Sequence, residues 1–183
     1  MAVRSEDLLA SATQTLASNP GASLADVAVA AGVSRTTIFT RYPTRAALLE
    51  AVAVHGVTRL EDAYEAAGAR TSTAPAAEVL ANLVTRMIPI GPNIAFLFRE
   101  PLLHGNETVQ SHLMALHEMD LALLRRAQAE GDLRRDAPVA WLARSLDALV
   151  YAAWEGVDAG ELAALEAPHH VMSMFLDGAR PCE

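Results

Sequence analysis

Five side chains within seven residues carry the chemistry most specific to this chain: Arg35, Thr36, Thr37, Thr40 and Arg41. Arg45 adds a further cation, and no carboxylate occurs from Arg35 to Arg45. A guanidinium can fork onto the paired acceptors of guanine. A threonine can meet a phosphate oxygen or a thymine methyl, and neither residue repels a polyanion. For that chemistry the groups must stand on one outward face of a rod. Ser34 caps such a helix, Ile38 and Tyr42 form its inward face, and Pro43 stops it. Before it, Ser23 caps a helix over 24–31 whose apolar stripe is Leu24, Val27, Ala28 and Ala31. Gly32 supplies the left-handed turn residue, Val33 returns to the core, and Thr44 caps the helix that Arg45 opens. Residues 23–49 therefore read as a helix-turn-helix, with an ordinary helical hairpin as the plainer reading of the same spacing.

The stretch AGVSRTTIFTRYPTRAALL, within 8–52, resembles the tetracycline-repressor (TetR) family of bacterial transcription regulators. That resemblance implies an all-α protein with a three-helix DNA-binding head and a C-terminal helical bundle for regulation and dimerisation. It implies that Arg35, Thr36, Thr37, Thr40 and Arg41 touch bases or phosphates and that Arg45 takes the place of a phosphate-binding lysine. Ser23 and Phe39 are counted with them as DNA-facing positions. Phe39 stands where the family often has tyrosine, so a hydroxyl–phosphate bond is missing. Arg41 stands where histidine is common and adds a full charge. Residues 1–5 carry only Arg4, so little contribution from an N-terminal arm is expected.

Charge sharpens the division. The net charge is −8, yet residues 1–50 are neutral, with four arginines against four acids. All of the excess lies in 51–183, which DNA would repel, so only the N-terminal face is fit to meet a duplex. No lysine occurs, and the single cysteine, Cys182, excludes an intramolecular disulfide. A reducing cytoplasm fits that usage. Glu6 and Asp7 stand where a signal peptide needs basic and then apolar residues. The apolar stretch 137–154 is interrupted by Arg144 and Asp147, so no membrane span is expected.

Thirty-seven alanines and the lack of β-type alternation favour helix throughout. Helices are expected over 5–17, 44–67, 76–88, 94–103, 107–129, 137–157 and 160–178, with a break at Pro89, Gly91 and Pro92. The division is residues 1–46 for DNA binding and 47–183 for ligand binding and dimerisation. The last two long helices are expected to pair with their copies in a homodimer, through small residues Ala140, Ala143, Ala148, Ala152 and Gly156 and apolar Val171, Met174 and Phe175.

Near the proline break, Met87, Ile90, Phe96, Phe98 and Leu102 suit a pocket for a mostly apolar small molecule. Met114, His117, Leu121, Trp141 and Tyr151 follow from later helices, and plain core packing is the bland reading of all ten. His112 and His117 point apart and lack acidic partners, so no metal and no cofactor is expected. No nucleophile–base pair, phosphate loop or other enzyme motif is present, which speaks against catalysis. The expected function is a DNA-binding regulator, a repressor released from operator DNA by a small effector. The alternatives are control by a protein partner or no effector at all, and more remotely a small helical enzyme.

Overall fold

A computed structural model of the chain describes residues 4–100, 103 and 105–179, and every regular element among them is helical. In order these are α1 (Ser5–Ser18), α2 (Leu24–Ala30), α3 (Arg35–Arg41), α4 (Arg45–Ala67), α5 (Ala76–Met87), a 3-10 turn (Ile88–Ile90), α6 (Gly91–Arg99), α7 (Glu107–Glu130), α8 (Val139–Asp158) and α9 (Ala167–Ala179). The all-α class is the expected one. Leu102, Cys182 and residues 1–3 of the N-terminal arm lie outside the described residues.

Contacts divide the chain into two compact units. The first runs through Arg59 and takes in Pro92–Leu113. In it α1 buries Leu8, Ala12 and Leu16, and with them Thr13, whose hydroxyl donates to the Leu9 carbonyl at 2.8 Å. The α2 helix packs against α1 and α3 through Leu24, Val27 and Ala28. Gly32 ends α2 with φ at +65°, and the Val33 N–H reaches back to the Ala28 carbonyl at 2.9 Å. That left-handed residue needs glycine, since a Cβ there would crowd the carbonyl that follows. Thr44 caps α4 by accepting from the Ala47 N–H at 3.1 Å. Leu97 of α6 lies close over Gly56 of α4, where an added Cβ would stand 3.3 Å from it.

The second unit is Leu60–Gly91 with the chain from Met114 onward. Here α5 buries Val79, Leu80, Leu83 and Val84 and packs on α9, which packs in turn on α8. Pro75 offers α5 no side-chain cap, and the Glu130 carboxylate accepts from the Ala76 N–H instead. Arg126 donates to the carbonyls of Ser72 and Ala74 just before it, at 2.9 and 3.0 Å.

Two expectations are corrected. The prolines at 89 and 92 do not break the run: the chain tightens into one 3-10 turn and resumes as α6 at Gly91. Pro89 and Pro92 each fall in the first turn of their element, and the 3-10 turn accommodates the missing N–H groups, with the Gly91 N–H donating to the Ile88 carbonyl. Gly91 is there for space, because a Cβ would fall 2.0 Å from Trp154 Cγ. The final helix starts at Ala167 and not at residue 160, since Gly160 (φ +73°) ends α8 and 161–166 form turns. The run Ala76–Arg99 is apolar and long enough to cross a membrane, but 67 % of its most apolar window is buried, as in a core helix.

Candidate nucleic-acid interface

The exposed face of α3 follows from its anchors. Ser34 Oγ accepts the Thr37 N–H at 3.1 Å and fixes where the helix begins. Ile38 is fully buried and Tyr42 nearly so, so the rod turns its remaining side chains outward. Arg35, Thr36, Thr37, Phe39, Thr40 and Arg41 are all exposed. Not all are equally free. The Thr37 hydroxyl shares a 2.8 Å hydrogen bond with Ser34 Oγ, which ties it to the cap. Arg35 places its guanidinium carbon 5.8 Å from the centre of the Phe39 ring.

Ser23 closes a capping box. Its N–H and hydroxyl donate to Asp26 Oδ2 at 2.8 and 2.7 Å, and its oxygen accepts the Asp26 N–H at 3.2 Å. Those bonds from Ser23 hold the Asp26 carboxyl below the usual carboxylate range. The Ser23 proton is thus directed into its own helix start.

Arg45 also has work inside the head. Its Nε donates to the Ala22 carbonyl at 3.3 Å and its Nη2 to the Pro20 carbonyl, bracing the turn between α1 and α2. The expectation of a phosphate contact did not include this brace, which links positions 25 apart and leaves no local pattern.

Nine of the ten residues proposed for a ligand are described; Phe96 and Phe98 belong to the first unit and the other seven to the second. Met87, Ile90 and Leu121 are buried in the second unit, and Phe96 is buried in the first. Tyr151 is half-buried, meets Trp154 edge-on at 5.3 Å, and donates to Glu155 at 2.8 Å. Phe98, Met114 and Trp141 are 67, 68 and 65 % exposed, and His117 is exposed too. Apolar type at helical spacing does not distinguish a cavity wall from a face left for solvent or a second subunit. A hollow in the first unit, beside Leu16, Pro20, Phe96 and Arg99, measures about 20 Å³, room for a water only.

The polar centre of the second unit escaped the sequence reading. Tyr64 of α4 donates to Asp120 of α7 at 2.6 Å. Burial pushes the Asp120 carboxyl up to about 7; the Tyr64 bond opposes that rise and the charge of Asp147 adds to it. Asp147 of α8 keeps surface open to water although protein surrounds most of it, and that desolvation raises its carboxyl, opposed by His117. Burial, with Asp120 next, holds the Tyr64 phenol well above its ordinary value. Lone acids on amphipathic helices read as solvent-facing, and residues 64, 120 and 147 share no spacing that would join them.

Residues 8–52 match the family described as bacterial regulatory proteins, tetR family. The HTH-type transcriptional repressor LfrR of Mycolicibacterium smegmatis is 32 % identical over 155 residues, which are 84 % of this chain and 78 % of that one. The crystal structure of LfrR from Mycobacterium smegmatis in complex with proflavine matches with a TM-score of 0.73 at 27 % identity, covering 94 % of this chain and 93 % of that one. The ketosteroid transcriptional regulator KstR2 of Mycobacterium tuberculosis matches with a TM-score of 0.76 over 98 % of this chain and 97 % of that one. At 16 % identity it speaks for the fold alone.

Proposed function

The chain belongs to the TetR family of bacterial transcriptional regulators, and on that footing we propose that it is a homodimeric repressor released from operator DNA by a small, mostly apolar effector. As a family member it is a DNA-binding regulator and not an enzyme. The observation that carries the DNA-binding reading is the exposed, acid-free face of α3, held outward by Ile38 and Tyr42. In this reading Arg35, Thr36, Thr40 and Arg41 face the major groove, and Thr37 and Ser23 hold the two helix starts that present them. Residues 1–46 serve DNA binding and 47–183 serve ligand binding and dimerisation.

Two operator half-sites one DNA turn apart call for two heads. The dimer reading rests on α8 and α9. Ala143, Val171 and Phe175 are buried within one chain, but Trp141, Ala148, Ala152 and Met174 are exposed. Trp141, Ala148 and Ala152 recur at helical spacing on α8 and suit close approach of a second copy. For the effector, a relative was crystallised with proflavine. In this chain the Tyr64 hydroxyl donates to Asp120, with the Asp147 charge acting on both, and a few such polar groups are what a mostly apolar site uses to orient a ligand.

The test is binding to the DNA upstream of the chain's own gene, followed by fluorescence anisotropy with and without added compound, proflavine first. The reading expects salt-dependent binding and release by a compound that also raises the thermal midpoint. Binding that no compound reverses, together with a co-purifying protein, would move control to that partner.

A further inference from the structure

Ile38 and Tyr42 carry the packing of α3, so the aromatic at 39 has no part in the core: Phe39 stays 41 % exposed on the face that bears the arginines. Arg35, one helical turn earlier, holds its guanidinium carbon 5.8 Å from the ring centre. Residues four apart meet on a helix surface, and a cation within about 6 Å of a ring centre is held by the ring's negative face. No carboxylate between Arg35 and Arg45 competes for that guanidinium. Elsewhere arginines of this chain settle on acids, as Arg134 does on Asp136 and Arg126 on Glu130. Arg35 settles on a ring.

We propose that Phe39 is a positioning residue: its ring holds Arg35 ready for a guanine, so the sequence preference of the head at that base depends on a side chain that makes no hydrogen bond. The proposal rests on the reading of α3 as the DNA-facing helix and deepens it. Two physical consequences favour such a platform. An arginine loses much rotamer freedom when it docks, and a ring that already confines it removes part of that loss before DNA arrives. Attraction to a ring face also consumes none of the five N–H donors, so the fork needed for guanine O6 and N7 stays available. A carboxylate partner would have taken those donors and repelled the duplex as well.

The experiment uses the full chain and a duplex selected by the wild-type protein from random sequences. Affinities of wild type, Arg35→Ala, Phe39→Ala, Phe39→Tyr and the Arg35→Ala/Phe39→Ala double variant are compared on that duplex and on versions with each guanine replaced in turn. Phe39→Ala is expected to bind the selected duplex about two- to five-fold more weakly and to lose discrimination at the same guanine as Arg35→Ala. Its salt slope should stay at the wild-type value, because no phosphate contact is removed. Phe39→Tyr keeps the ring and should keep the guanine preference. In the Arg35→Ala background, removing the ring should cost nothing further. An unchanged thermal midpoint for Phe39→Ala, expected for an exposed ring, shows that the fold is intact. Simple addition of the two single effects, or a loss at Phe39→Ala equal on all sequences, overturns the positioning role while leaving α3 as the reading helix. Wild-type binding by Arg35→Ala overturns the reading of that residue and the role of Phe39 with it.

Discussion

Arg45 has a structural role that its proposed phosphate contact would share. Two of its nitrogens brace the Pro20 and Ala22 carbonyls, and in the proposed reading its charge also meets DNA. Replacement by lysine should separate the roles. Arg45→Lys keeps the cation and the salt slope of binding but loses the fork, with a stability loss of about 1 kcal/mol by chemical denaturation. Arg45→Ala should lose both stability and salt slope. Asp120 makes a second prediction at this scale, with the sign set by linkage. Its folded-state pKa of about 7 lies above the ordinary value of 3.8, so the folded chain holds the proton more tightly than the unfolded chain. This group therefore favours folding at low pH, and its contribution is lost as pH rises from about 4 through about 7, by at most about 1.4 kcal/mol per pH unit. Asp120→Asn can still accept from Tyr64 and should flatten that slope, raising the thermal midpoint above pH 7 and not at pH 4. A slope unchanged by the substitution would place the titration elsewhere. The caps at Ser23 and Ser34 could be read from the chain because their partners lie three residues away. Arg45–Pro20 and Tyr64–Asp120 could not, because they join positions 25 and 56 apart.

At the scale of elements, periodicity located most helices within a few residues, the last one excepted, which begins at Ala167 and not at 160; the misreading around 89–92 has a simple physical origin. Proline and glycine were taken as ends, yet Pro89 and Pro92 begin elements and Gly91 makes room for Trp154. Which of these roles a residue plays depends on its neighbour in space. Gly91→Ala should force Trp154 aside and cost about 1–3 kcal/mol in denaturant unfolding, with a change in tryptophan fluorescence. An unperturbed emission spectrum would show that the ring does not press on residue 91. Gly32 was legible from sequence, since a left-handed residue between two capped helices needs no distant partner.

For the whole molecule, the charge division was legible, while the proposed homodimer draws on residues of two kinds. Residues 1–50 are neutral and the remainder carries the whole negative excess, so the proposed DNA contact falls to the N-terminal part. The small and apolar residues of α8 and α9 proved to be of two kinds, some packed within the chain and some open on its surface. Composition does not separate them, because in the proposed dimer both kinds would bury apolar area. Ala152→Glu, on the open face, should yield monomers in sedimentation velocity and weaken operator binding. A variant that stays dimeric would move the interface to another face. The most direct test of the account is the affinity of wild type, Arg35→Ala and Arg41→Ala for the DNA upstream of the gene, titrated across salt concentrations. Wild type should bind with a steep salt slope, and the alanine variants should lose about 1–3 kcal/mol of specific binding. Affinity for that DNA unchanged in both variants would contradict the account.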